Sequence, residues 1–184
     1  MNPAEQVRQA IESLKKLMTN TNGVTVFTVS NELASVCCEF NPPLPTHKYQ
    51  NFFKENNWYL PDDYFMFLHH CNGATLFKSP HSGGGTRVLT LDEIENIHKD
   101  YPLPTHWYPI AWTDLIAGSI CIDSERCSKG IYPYLFFLDA IEKSDHAIPL
   151  HYNFATWLTR LIVTQGAEYW LWDFHDRINF KNKT

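Results

Sequence analysis

No run of apolar residues in this 184-residue chain approaches the length of a membrane span. Its start, Met1-Asn-Pro-Ala-Glu-Gln6, lacks the basic stretch and hydrophobic core of a targeting segment. A soluble, cytoplasmic chain is therefore expected, with no membrane as partner. Cysteine is sparse: Cys37, Cys38, Cys71, Cys121 and Cys127 are odd in number, two are adjacent, and none has the paired spacing of a zinc or redox motif. Reduced, structural thiols are the expectation, rather than a disulfide framework. Positive charge is in deficit as well, with 15 Lys and Arg against 20 Asp and Glu, a net charge of −5. The deficit is local: residues 60–145 hold twelve acids against six bases, whereas residues 1–59 carry five of each. Phosphate binding needs the opposite sign, so nucleic acid is not expected as a direct partner. A basic protein fits, and an acidic surface that serves solubility alone is the competing reading.

Catalytic signatures are also missing. Ser82-Gly-Gly-Gly-Thr-Arg87 is glycine-rich, but a phosphate loop ends in Gly-Lys-Ser/Thr at a helix, and here Arg87 enters a strand pattern. In His69-His70-Cys71, neighbours on a helix point about 100° apart, so the three do not converge on one ion. His47, His98, His146 and His151 lie in separate segments without ligand spacing. Gly118-Ser119 lacks the remainder of a nucleophile elbow, and Cys121 sits in mid-strand as a core residue. The carboxylates Asp62 and Asp63 suit a helix dipole better than acid–base work. No catalytic residue, metal site or cofactor is expected, and the chain reads as a non-enzyme.

What is present is an ordinary core-forming composition, 44% hydrophobic, with an aromatic share of 15% that is high. Its central stretch is Leu60-Pro-Asp-Asp-Tyr-Phe-Met-Phe-Leu-His-His-Cys-Asn-Gly73. Pro61 suits a first helical position and Asp62 and Asp63 the positive end of the dipole. Tyr64, Phe65, Leu68 and Cys71 recur at helical steps as one buried stripe, and Asn72-Gly73 supplies the left-handed closure. Ahead of it, Val7, Ala10, Ile11, Leu14, Leu17 and Met18 mark an amphipathic helix ended by Asn22-Gly23. Val24–Val29 and Leu33–Phe40 predict a hairpin across Ser30-Asn-Glu32, and Asn41-Pro-Pro-Leu-Pro45 a joint. A helix capped by Thr46 follows, with Tyr49, Phe52 and Phe53 on its apolar face.

Beyond Gly73, Ala74–Phe77 and Thr86–Leu91 predict strands either side of a mobile loop, Lys78–Gly85, and Asp92–His98 a short helix. Tyr108–Trp112, Ser119–Asp123 and Ile131–Leu138 predict an antiparallel meander, with Glu125–Gly130 as a polar turn. Phe154, Trp157, Leu158, Leu161 and Ile162 form the stripe of a last helix. Tyr169–Trp172 continues it or packs back on the sheet, and Asn179–Thr184 should fray.

Leu60-Pro-Asp-Asp-Tyr64 with Phe67-Leu68 and Asn72-Gly73 resembles the Leu-Pro-x-Asp-Tyr…Phe-Leu…Asn-Gly segment of the SUKH superfamily. Tyr108-Pro-Ile-Ala111 and Gly118-Ser-Ile-Cys-Ile-Asp123 look like that family's Pro-Ile and Gly-(Asn/Ser)-x-(hydrophobic)-x-(hydrophobic)-Asp strands. Tyr134–Leu138 and Asn153–Leu158 follow in the family's order, so the likeness spans roughly residues 46–165. The chain departs from the pattern in its segment before residue 46. It departs again in Trp112-Thr-Asp-Leu-Ile-Ala-Gly118, which replaces an acidic, glycine-rich turn. The resemblance implies a single α+β domain: a twisted antiparallel sheet packed with helices over residues 46–184, carrying residues 1–45 as a helix-and-hairpin extension packed on it. It also implies a protein-binding role without a cofactor. Many bacterial members are immunity proteins that block a cognate polymorphic toxin, frequently a nuclease, and fungal relatives regulate cell-wall synthesis through protein contacts. The first expectation is accordingly an immunity protein that occludes a basic toxin, and the alternative a regulatory scaffold with an endogenous partner. Trp112 as anchor, with Asp114, Asp123 and Glu125 as turn acids beside it, are the expected contact residues.

Overall fold

Residues 2–21, 23–27, 32–81, 83–114 and 116–172 are described by the computed structural model. The chain runs through α1 (Pro3–Thr21), β1 (Val24–Phe27), β2 (Leu33–Phe40), α2 (Thr46–Glu55), α3 (Asp62–His70), β3 (Ala74–Lys78) and β4 (Thr86–Val88). It continues through α4 (Leu91–Asp100), β5 (Trp107–Thr113), β6 (Gly118–Asp123), α5 (Ser124–Ser128), β7 (Leu135–Asp139), β8 (Ile148–Leu150) and α6 (Phe154–Val163). All eight strands form one sheet in chain order, each antiparallel to the next. The fold is α+β, as the motif order predicts.

Strand side chains alternate between faces, so register sorts the sheet into two surfaces. Ala74, Val88, Ala111, Ile120 and Phe137 align in one row and join the main hydrophobic cluster beneath the helices. Thr75, Arg87, Trp112, Ser119 and Leu138 align in the neighbouring row and point the other way. Helices α1, α3 and α6 pack on one another. Val7, Ile11 and Leu14 of α1 share one cluster with Tyr64, Phe67, Leu68, Trp157 and Leu161.

The centre of that cluster is α3. Tyr64, Phe67, Leu68 and Cys71 are buried, while Phe65 is half-buried, so Phe67 takes the place in the stripe that spacing assigned to Phe65. Pro61 stands one position earlier than expected, as the N-cap, and the helix closes at an extended Cys71 rather than at Gly73. Gly73 does carry a positive φ of 85°, for a different reason. A Cβ there would lie 2.9 Å from both the Val88 carbonyl oxygen and the Thr90 nitrogen, so the close approach of the chain between β4 and α4 demands glycine. Asp63 does more than face the dipole. Its Oδ1 accepts from the Tyr64 N–H at 2.9 Å and its Oδ2 from the Ala155 N–H at 3.0 Å, tying α3 to the first turn of α6.

Other differences have equally local causes. Thr46 begins α2 instead of capping it, because Pro45 holds the N-cap, and its hydroxyl accepts from the Tyr49 phenol at 3.2 Å. Thr90 and Glu93 form a reciprocal capping box that starts α4 at Leu91. The expected turn Glu125–Gly130 is mostly helix α5, which starts at Ser124 and is nucleated by Asp123, whose side chain accepts from the Arg126 N–H at 2.9 Å. The third meander strand starts at Leu135, since Pro133 has no N–H to give a ladder. Ile148-Pro-Leu150 adds an edge strand that three residues with a central proline did not advertise. Ser79 and Gly83 close the expected loop with a reciprocal backbone pair. Tyr169–Leu171 is a 3-10 turn that folds back, placing Trp170 5.9 Å from Trp157. Asn22 and the turn residues Ser30 and Asn31 lie outside the described residues, as does Asn179–Thr184.

Candidate functional site

The four expected contact residues occupy two ends of one hairpin. β5 and β6 pair Trp112 with Ser119 and Trp107 with Asp123. Trp112 and Asp114 therefore sit at the turn end, and Asp123 and Glu125 at the other, about 17 Å away at ~3.3 Å per strand residue. Asp123 is 5% exposed and spent on capping α5, with His106 Nε2 3.8 Å from its carboxylate. Glu125 is exposed and lies 4.0 Å from Lys129 one turn on, a contact of little energetic weight. Asp114 is exposed in the turn after β5. These acids do not gather around one aromatic.

What gathers around Trp112 instead comes from two other segments. Tyr101, at the end of α4, brings its ring to 5.6 Å from the Trp112 ring, inclined by 54°. Pro102 and Leu103 continue that wall, and Ser119 and Leu138 line the cleft from β6 and β7. The chain then turns through Asp139, Ile141, Glu142 and Lys143, which line the same cleft of about 160 Å³. The Ile141 N–H donates to Asp139 Oδ1 at 3.0 Å, holding that carboxylate against its own turn. Ile141 is 90% exposed, a large apolar side chain left in water beside the cleft.

A second cleft of about 430 Å³ opens on the other side of the same turn, between Ile116, Phe137, Ile148 and Leu171. Asp139 and Glu142 line both. In the second cleft Glu142 Oε2 lies 2.7 Å from His146 Nδ1. The hydrogen bond to that carboxylate, helped by Asp145, raises the His146 pKa. The result is an acidic ridge, Asp139 to Asp145, between two apolar hollows, with Asp114 on the neighbouring turn.

Gly118 positions this ridge. It pairs with Asp139, and a Cβ on it would fall 2.6 Å from the Leu138 carbonyl oxygen and 2.7 Å from the Phe137 ring. That is the physical requirement behind the glycine opening the Gly-Ser-Ile-Cys-Ile-Asp strand. Gly118→Ala should force β7 outward and cost about 1–3 kcal/mol, read as a lower urea midpoint with an unchanged slope.

Among the described residues, the thiols and histidines weighed for bond chemistry do not converge on one site. Burial pushes the thiols of Cys71 and Cys127 up to about 12, and that of Cys121 higher still, which keeps them protonated. The rings of His69 and His70 are 5.9 Å apart and nearly perpendicular. Among the described residues no group of three or more His, Cys, Asp or Glu is placed to hold a metal ion. Arg87, after the glycine run, lies on β4 and pairs with Glu93 at 3.4 Å. No helix among the described residues is long and apolar enough to cross a membrane.

Tyr101, Leu103, Leu138, Asp139 and Glu142 were not singled out by sequence. Tyr101-Pro-Leu-Pro-Thr105 reads as a breaker, and only strand register shows Leu138 and Trp112 flanking the same Ser119. The available signal was the pair of acids directly after the aromatic strand, inside the acid-rich region.

Comparison with known proteins agrees with the motif order. Residues 43–160 match the SMI1 / KNR4 family (SUKH-1). The chain is 26% identical over 183 residues to the uncharacterized protein YobM of Bacillus subtilis (strain 168), covering 95% of this chain and 96% of that protein. It is 29% identical over 111 residues to the uncharacterized protein YnaB of the same organism, covering 60% of this chain and 71% of that protein.

Proposed function

This chain belongs to the SMI1 / KNR4 family (SUKH-1), a family that includes immunity proteins, and from that premise we propose that it is a non-catalytic immunity protein. It binds a basic polymorphic toxin in the cytoplasm, a nuclease being the expected class, and neutralises it by occlusion. The observation that carries this reading is the acidic ridge of Asp139, Glu142 and Asp145 beside Asp114, set between two apolar clefts with Trp112 in one wall. Aromatic anchors in a desolvated pocket supply affinity, and a charged rim supplies encounter rate and choice of partner. Of the expected contact residues, Trp112 and Asp114 belong to this surface. Glu125 is exposed at the far end of the hairpin and enters the interface only if the partner reaches across the sheet face. Asp123 contributes by holding α5.

The test is capture of the toxin encoded beside this gene by the wild-type protein and by the double variant Asp114→Lys/Glu142→Lys. Binding should weaken by about 100-fold and lose much of its salt dependence, chiefly through slower association. Equal capture by both proteins would place the interface elsewhere. Absence of a toxin gene in the neighbourhood, with a housekeeping protein captured in its place, would favour the regulatory scaffold.

A further inference from the structure

The shape and chemistry of the smaller cleft specify one feature of the partner. Resting on the immunity reading above, we infer that the cleft between Tyr101 and Trp112 receives a single arginine side chain of the basic partner. The space, about 160 Å³, admits one long side chain and no secondary-structure element. Its inner part is apolar: the inclined rings of Tyr101 and Trp112 form a wall, and Leu138 lies 8% exposed in β7. Its lining also holds Asp139 and Glu142, each with one carboxylate oxygen already engaged, Asp139 Oδ1 by the Ile141 N–H and Glu142 Oε2 by His146 Nδ1. A ligand matching both parts needs a hydrocarbon stem and a cationic head.

Arginine satisfies that pair of demands better than lysine. Its planar guanidinium lies against aromatic rings and presents a fork of donors to carboxylates, and it sheds water more readily than an ammonium group. An aliphatic side chain would fill the walls and bring no counter-charge to carboxylates that the incoming protein desolvates, where His146 serves Glu142 alone. Lys143 is the one cationic side chain in the lining among the described residues. Its positive charge at the same cleft opposes the entry of a guanidinium.

The experiment needs no toxin. N-acetyl-arginine amide and N-acetyl-norleucine amide are titrated into the whole protein, following the backbone amides of residues 138–143 and the Trp112 indole by NMR. Arginine amide should bind with a dissociation constant on the order of 10 mM, and norleucine amide about tenfold more weakly. Glu142→Gln should weaken arginine binding about threefold, and Lys143→Gln should tighten it by a similar factor. Equal shifts for the two probes, or arginine shifts spread evenly over the acidic surface, would overturn the inference. So would a lack of response at these signals up to about 100 mM. A protein that captured its toxin yet failed this test would keep the immunity reading and lose the arginine. Arginine-specific shifts without toxin capture would do the reverse.

Discussion

Tyr64→Ala should cost about 3–5 kcal/mol and lower the melting temperature by roughly 10 °C, as read by calorimetry or by far-UV circular dichroism on heating. Tyr64 is wholly buried, and its ring touches elements from every layer of the fold. Its centroid lies 4.9 Å from Phe154 of α6, 6.2 Å from Phe53 of α2 and Phe67 of its own helix, and 6.5 Å from Tyr108 of β5. Truncation leaves a ring-sized void that four aromatic neighbours, each packed on others, cannot fill by small shifts. The loss is a large share of the ~5–15 kcal/mol that holds a typical domain together. The hydroxyl contributes differently, having no hydrogen-bond partner among the described residues, and burial raises its pKa far above the ordinary phenol value. Tyr64→Phe should accordingly stay within about 1 kcal/mol of wild type. A large loss in the phenylalanine variant would show that the hydroxyl, rather than the ring, secures the site.

Asp63→Ala should be nearly as damaging, at about 2–4 kcal/mol, because two buried N–H groups lose their acceptor together with a packed side chain. The Ala155 N–H belongs to the first turn of α6, where no further backbone oxygen is in helical reach. Asp63→Asn keeps an acceptor oxygen and should lose less than half as much. The charge itself has a measurable sign. Burial raises the Asp63 pKa above 3.8, against the two N–H bonds that favour the carboxylate. A folded pKa above the unfolded one means the native state binds the proton more tightly. This residue's contribution is therefore most favourable below the unfolded pKa and declines as pH rises through the folded one. Subtracting the Asp63→Asn denaturation free energies from those of wild type across pH 3–7 isolates that decline from the other carboxylates. A difference that rises with pH would reverse the assignment and make the ionised form the better cap.

These two neighbours show where reading a sequence succeeds and where it stops. The helix around Tyr64 is legible because an apolar stripe, an acidic first turn and a bounding proline all act within one or two turns of chain. Which aromatic completes the stripe is not, since Phe65 and Phe67 flank it and α6 and β5 choose between them. Asp63 reads as a dipole residue from its position. Its bond to Ala155 joins residues 92 apart in the chain, a separation at which local pattern carries no information.

The same division runs through the binding surface. The chain's own order of turns, breakers and periodic segments determined every helix but α5, the first hairpin, the antiparallel meander and the concentration of acid between residues 60 and 145, because each arises from interactions among near neighbours. The tertiary structure decided which of those acids share a surface. Antiparallel pairing sent Asp123 to the opposite end of the hairpin from Trp112, helix capping consumed its carboxylate, strand register brought Asp139 and the turn with Glu142 to the place it was expected to fill, and the packing of α4 on β5 brought Tyr101 there. Register is settled by burial summed over the whole sheet face. No stretch of a few residues contains that sum.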